Sequence, residues 1–455
     1  MEIAMNLTEL LSEYILKQAY GNLSDTDIEK AKLCFIDWIA VTLAGSRESV
    51  SEINFGLIET LGGKEQASIL GMGLKTNLLF ASLVNATSAH ALDFDDVHLD
   101  SSGHPSAPII PALLALAEWK GLSGRDFITA FVTGVQVFFS LGAANMPMHY
   151  QEGWHNTGTF GHIAAAAAAA KLLNLNKSKT VNAIGIAATQ SAGLQNVFGT
   201  MGKPFNAGKA AMDGLLAALL AERNFTCSVD SIGGKNGFLS VFSSTSDPLA
   251  MAKALAEKNF LDGVTFKRYP ACFATHAAID CMLFLKNRYD INPEKIAEIE
   301  CIVYPKCLDI AALADPKTGL EGKFSVQFCL ALALTEGKVV LDAFIDSKVN
   351  NPSLRNIMKK VKLTGDLSYS ETRTSEVVIK FKNGKNIQKK VVFSEQRGDP
   401  VKEREAVVKK YREITCSFMH SRKAAALLTS LESMERAENM ANVISLCQTA
   451  DKNSE

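Results

Sequence analysis

Apolar positions recur at helical spacing through most of the first 265 residues. Leu7, Leu10, Leu11, Tyr14 and Ile15 share one helix face, and Ser24 with Asp27 forms a start signal ahead of Ile28 to Ala44, which Gly45 can end. Ser123 and Asp126 repeat that signal before Phe127, Phe131, Val132, Val135 and Phe138. Between these lies a loop-rich stretch, Leu92 to Pro111, punctuated by Pro105, Pro108 and Pro111 just before an apolar helix that ends at Gly121. Ala164 to Ala170, and a second small-residue helix from Gly208 to Ala221 after a Gly-rich loop at 199–208, predict two closely packed central helices of one bundle.

From about Arg268 the pattern changes. Glu298 to Tyr304 is a β-branched run, and Val377 to Phe393 reads as two strands around Asn383-Gly384, a strong hairpin signal. Lys380, Lys382, Lys385, Lys389 and Lys390 predict a solvated, edge-protecting face on that hairpin. Helical spacing returns at Asp399. The expected fold is therefore mainly α with an α+β lid: a large all-helical domain over 1–267, rejoined by 399–455, and a smaller α+β domain over 268–398, with a frayed end at Ala450 to Glu455.

The 455 residues are 47% hydrophobic and 21% charged, enough for a sizeable core and unlike a disordered or fibrous chain. A net charge of -1 supplies no global field for nucleic acid or an anionic membrane, so an anionic partner must be met locally. Nine scattered cysteines without a C-x-x-C pair suggest neither a disulfide framework nor a zinc ribbon. No basic segment followed by an apolar block opens the chain, and no run approaches the roughly 18 uncharged apolar residues of a membrane span, so a soluble protein of the reducing cytoplasm is expected.

Four segments carry candidate chemistry. His90, Asp93, Asp95, Asp96, His98, Asp100 and His104 crowd into fifteen residues; they suit acid/base catalysis, metal binding, or a polar loop whose aspartates cap turns. Gly153 to His162, with Trp154, His155 and Asn156, resembles a turn into a helix N-terminus where a ligand carboxylate could sit, or histidines bonded within the core. Gly199 to Ala210 is not a phosphate loop, because five residues separate Gly202 from Gly208 where the motif has four and Ala210 replaces its hydroxyl. Lys203, before Pro204, is instead a cation on a constrained loop or a solvated surface lysine. Lys267, Arg268 and Cys272 stand at the domain boundary, where an anion could be received and where the thiol could be reactive or simply buried.

Taken in order, His90 to Asp96, Gly103-His-Pro105, Gly153-Trp-His155, Gly202-Lys-Pro-Phe205, Tyr269-Pro-Ala-Cys272, Lys323 to Phe328 and Gly398-Asp-Pro400 resemble the MmgE/PrpD family, which includes 2-methylcitrate dehydratase, cis-aconitate decarboxylase and iminodisuccinate epimerase. The resemblance implies a helical domain with an α+β lid, an active site between them, a homodimer, and lyase or isomerase chemistry on a small di- or tricarboxylate with no metal or organic cofactor. It assigns His104 to proton transfer, Asp93 to orienting or sharing that proton, His155 to binding or a second proton step, and Lys203 and Lys267 to carboxylates. Cys272 and His98 are added as substrate-binding candidates. Aconitate decarboxylases tend to carry Thr, His and Tyr where this chain has Val97, Cys272 and Phe328, which leaves dehydration, decarboxylation, epimerisation and carboxylate binding without turnover all open.

Overall fold

The helix boundaries fall where the chain supplies caps. In a computed structural model describing residues 6–258, 260–366, 374–392 and 399–448, Ser24 and Asp27 form a reciprocal capping box that opens Asp25–Gly45, and the Ser123 side chain accepts from the Asp126 N–H to open Gly124–Asn145. Phe393, Gly398, the opening five residues and the expected frayed end lie outside the described residues.

Asp25–Gly45, Leu78–Ala91, Ser106–Lys120, Gly124–Asn145, Asn156–Leu172 and Gly202–Glu222 pack around one large apolar core. The alanine helix Asn156–Leu172 is central, and its seven alanines are at most 1% exposed. A side chain at Gly214 would come within 2.6 Å of the Ala165 methyl, so small residues are what allow these two backbones to approach. Gly124–Asn145 has the length and apolarity of a membrane span, contrary to expectation, but 89% of its apolar window is buried inside the body. Two short antiparallel ribbons, Ala67–Ile69 with Leu74–Thr76 and Val97–His98 with Val264–Thr265, interrupt the helical domain.

A second core gathers His276–Arg288 and Val326–Glu336 against a four-stranded sheet. Its order is Val361–Thr364, Ile296–Val303, Thr374–Phe381, Asn386–Val392; the first pair is parallel and the others antiparallel. Gly384 takes a φ of +82° in the hairpin turn, a conformation its missing side chain makes accessible. The lysine face is only partly solvated, because Lys380 bonds Glu298 and Glu300 across the sheet and Lys389 lies over the Phe284 ring. The tail helix Pro400–Thr415 leaves the lid and packs on Asp25–Gly45, where the buried Lys410 ammonium lies 2.7 Å from the Asp37 carboxylate.

Two local expectations change. The helix ending before Gly121 starts at Ser106, so Pro108 sits in its first turn, where no N–H bond is lost, and only Pro111 lies deeper inside. Gly202–Glu222 starts six residues before the expected Gly208, which puts Lys203 and Pro204 in its first turn rather than on a loop. The helix does end at Gly45, and packing requires a glycine there: a Cβ would fall 1.9 Å from the Ser88 carbonyl oxygen on Leu78–Ala91. Gly45→Ala should therefore lower stability by about 1–3 kcal/mol or more in urea unfolding, because backbone must move to admit one methyl.

Candidate active site

Helix Leu78–Ala91 ends two residues before Asp93, which holds a left-handed φ of +50°. The Asp93 N–H donates to the His90 carbonyl, and the chain then runs through Val97–His98, paired with Val264–Thr265 two residues before Lys267. This pairing carries Lys267 to Asp93. Farther on, His98 donates its main-chain N–H to Gly103, and a side chain at Gly103 would strike the Phe138 ring at 2.6 Å. The turn thus presents His104 beside Asp93 and Asp95.

Asp93 Oδ1 accepts from Lys203 Nζ at 2.8 Å and from Lys267 Nζ at 2.6 Å, with all three side chains buried. Lys203 also donates to His90 Nε2 at 2.9 Å, and His90 Nδ1 donates to Asp95 Oδ2 at 2.8 Å. His104 Nδ1 donates to the Asp96 carbonyl at 2.6 Å and lies 3.3 Å from Asp95, which leaves His104 Nε2 as its acid/base atom. His155 accepts from the Asn206 amide at Nδ1, so its proton resides on Nε2, which is buried with no hydrogen-bond partner among the described residues. Val97, Asp93, His104, His155, Lys203, Lys267 and Cys272 all line one cavity of 460 Å³, together with Tyr150, Phe198 and Tyr304.

Burial sets the protonation states. It pushes His90 down to about 4, with Lys203 reinforcing it against Asp95, and also lowers His104 and His155. At neutral pH these imidazoles are uncharged. Burial opposes ionisation of Asp93, but Lys203 and Lys267 outweigh it and hold the carboxyl well below its usual range. Burial raises the Cys272 thiol to about 11, so it contributes a protonated S–H to the wall. Asp96, buried near Asp95 and Asp37 and bonded by Ser106, is raised to about 7.

His98 departs from the expected site. Its Nε2 meets the Phe260 carbonyl at 3.0 Å, its Nδ1 accepts from the Ser101 N–H, and its ring packs over Gly263, so it braces the loop outside the cavity lining. Phe328 lies in the lid core beside Phe344 and is also absent from the lining, whereas Val97 and Cys272 are part of it. At the start of Asn156–Leu172 the Gly158 and Thr159 N–H groups return to the His155 carbonyl, so His155 and Thr157 side chains are the polar groups presented there.

A metal was one reading of the histidine-aspartate loop, and His90, Asp93, Asp95 and His104 do bring ligand atoms within 4.8 Å of one another. Several of their lone pairs are engaged: Asp93 Oδ1 carries two ammonium groups, His90 Nε2 carries one of them, and Asp95 Oδ2 faces both imidazoles, while Asp93 Oδ2 and Asp95 Oδ1 accept no hydrogen bond among the described residues. Lysine supplies the positive charge at this point. The fit to a metal is poor because a dication here would lie beside two ammonium groups already held on the Asp93 carboxylate.

His90 and Asp95 belong to the centre although only their neighbours were singled out for roles; the three-residue step from a helical His to the next Asp was the available signal. Asn206 had none beyond its place one turn after Lys203.

The MmgE/PrpD N-terminal domain matches residues 9–250 and the MmgE/PrpD C-terminal domain matches residues 269–436. The chain belongs to the MmgE/PrpD family. Among its relatives, the cis-aconitate decarboxylase-like protein oryM of Aspergillus oryzae is 24% identical, with 97% of each chain covered. Cis-aconitate decarboxylase of Homo sapiens is 25% identical over 79% of this chain and 76% of its own, and that of Aspergillus terreus is 24% identical over 94% of each. The C-terminal match runs past the lid into the tail helices of this MmgE/PrpD chain.

Asp93→Asn would strand two buried ammonium groups without their counter-charge. It should lower stability by about 3–5 kcal/mol in denaturant titration, a cost expected for breaking a buried ion pair from one side.

Proposed function

We propose that this MmgE/PrpD chain is a lyase that moves a proton next to a carboxylate of a small di- or tricarboxylate, by dehydration or decarboxylation, using its own side chains and no metal. The observation that carries this reading is the neutral His104 Nε2 facing the same cavity as the two lysines on Asp93. An ammonium has three N–H groups. Lys203 uses two on His90 and Asp93, and Lys267 uses two on the Asp93 carboxylate and carbonyl, so each retains one for a substrate carboxylate. His104 Nε2 would accept a proton from carbon in a dehydration, or, as imidazolium beside Asp95, deliver one to the carbanion left when carbon dioxide departs. The His155 Nε2–H is a donor for enolate-like charge, and burial makes that bond stronger than in water.

The relatives named for cis-aconitate decarboxylation favour a carboxy-lyase. Val97 and Cys272 alter the cavity wall from the pattern of those enzymes, and so favour a carboxylate of different shape as substrate. His104 and His155, two acid/base groups at one cavity, also suit epimerisation of an iminodisuccinate-like dicarboxylate.

Chelator-treated protein incubated in D2O with cis-aconitate, 2-methylcitrate and iminodisuccinate should give new product signals or deuterium at one carbon by proton NMR. His104→Ala should slow that turnover by about 10²–10⁴-fold. Loss of turnover on chelation, or full activity in His104→Ala, would overturn the reading; binding without turnover of any of these acids would replace it with a carboxylate-binding role. The pH profile supplies a second check. In a dehydration His104 must be neutral to act as base and its pKa lies below the ordinary 6.5, so kcat/KM should persist as pH falls through 6.5 and decline only below it; in a decarboxylation that uses the imidazolium, kcat/KM should instead rise as pH falls below 6.5.

A further inference from the structure

Three consecutive carbonyls of the active-site segment each accept from a buried lysine, and the three lysines come from different parts of the chain. Lys323 of the lid donates to Leu92 at 2.8 Å, Lys267 of the domain junction to Asp93 at 2.9 Å, and Lys410 of the tail helix to Phe94 at 2.5 Å. Lys267 and Lys410 also have carboxylate partners, Asp93 and Asp37. Lys323 has none within ion-pair distance among the described residues. It is 3% exposed, 3.5 Å from the Pro270 carbonyl and 5.2 Å from the centre of the Phe344 ring, so the Leu92 carbonyl is its shortest polar contact.

A buried ammonium without a counter-ion is costly, and its retention here needs a reason. The peptide it grips leads directly into Asp93, whose positive φ is uncommon for a residue with a side chain and persists only where the surroundings enforce it. Lys323 follows the Gly319–Gly322 turn and precedes Val326–Glu336, both packed in the lid core, so it moves with the lid. The Cys272 N–H, which donates to the Lys323 carbonyl, ties the same residue to the cavity wall.

We propose that Lys323 is a positioning residue that couples seating of the lid to the conformation of Asp93: only when the lid places its ammonium on the Leu92 carbonyl is the Asp93 carboxylate held where Lys203 and Lys267 meet it. This rests on the lyase reading for its kinetic consequence but not for its structural one. A lid displaced from the body leaves Leu92 without that donor, so the catalytic constellation is complete only when the cavity is closed.

The charges around Lys323 give the coupling a pH signature. Burial lowers its pKa to about 8, opposed by Glu48 from the turn after Asp25–Gly45 and by Asp93, and reinforced by Lys267 and Lys203. The adjoining cleft of 820 Å³ between lid, body and tail is also lined by Arg47, Arg268, Asp342, Lys410 and Glu413. As pH rises past about 8 the charged donor becomes a neutral amine, whose hydrogen bond is roughly half as strong. The same deprotonation occurs at lower pH in the folded chain than at the 10.5 of the exposed side chain, so Lys323's contribution to stability increases over that interval. A loss of activity there through Lys323 is therefore not a loss of fold.

Amide hydrogen exchange on the full chain tests the contact without substrate. Lys323→Met should speed exchange over 92–97 by about ten- to a hundredfold, the change expected for losing one hydrogen bond to a charged group, and Lys323→Arg should restore protection. Unchanged exchange over 92–97 in Lys323→Met, or faster exchange throughout the lid that Lys323→Arg does not reverse, overturns the proposal whether or not a substrate is known. With a substrate in hand, kcat of the native protein should fall above pH 8 with KM little changed, and this limb should move upward in Lys323→Arg, whose guanidinium stays charged. Identical alkaline limbs in the two proteins overturn it. Absence of turnover in both would count against the lyase reading, while the exchange result would still decide the role of Lys323.

Discussion

The Asp93 carboxylate is the point on which this structure turns. One of its oxygens is shared by two ammonium groups, inside a protein, at the end of a helix and at a left-handed residue. None of these circumstances is favourable alone: burial opposes the charges, and the side chain opposes the backbone. Together they are stable because both lysines neutralise the carboxylate while Lys267 also holds the peptide that carries it. The rest of the centre is arranged outward from that pair, through Lys203 to His90 and from His90 to Asp95 and His104. The outcome is fixed positive charge next to uncharged imidazoles, the combination needed to hold an anion and move a proton beside it.

The architecture explains why such a costly cluster can be kept. The helical body supplies Asp93, His104, His155 and Lys203, the domain junction supplies Lys267, and the lid supplies Cys272 and Lys323. Small residues are used where backbones must nearly touch, as at Gly45 over Ser88 and Gly214 over Ala165, and these close crossings fix the helix ends to which the polar groups are attached. The two cores meet at the site through both apolar and polar contacts: the Phe198 ring packs on Phe324 of the lid, and Lys323 donates to the Leu92 carbonyl of the body.

Much of this was legible in the chain. Ser24 with Asp27 and Ser123 with Asp126 marked helix starts because capping is local, and Asn383-Gly384 marked the hairpin because a φ above zero favours those residues. Asp93, His104, His155, Lys203, Lys267 and Cys272 meet in one cavity, a grouping that the family resemblance implied. Where the reading failed, long-range contact had overridden local signal. Pro111 is tolerated inside a buried helix, and His98 turns from its histidine neighbours to a carbonyl 162 residues away. Lys410, in a helix crowded with charges, looks like any solvated lysine; only the fold reveals that its partner is Asp37 at the other end of the chain.

That last pairing bears on how the protein comes into being. Asp37 precedes the ammonium that balances it by some 370 residues, with the whole lid between them, so the acid leaves the ribosome well before its base. Until the Pro400–Thr415 helix has been made and has folded back, the body contains a buried acid with no base and a Phe94 carbonyl with no donor. The nascent body is consequently an electrostatically unfinished object, and the polar centre it carries is completed only when the Pro400–Thr415 helix has emerged and docked.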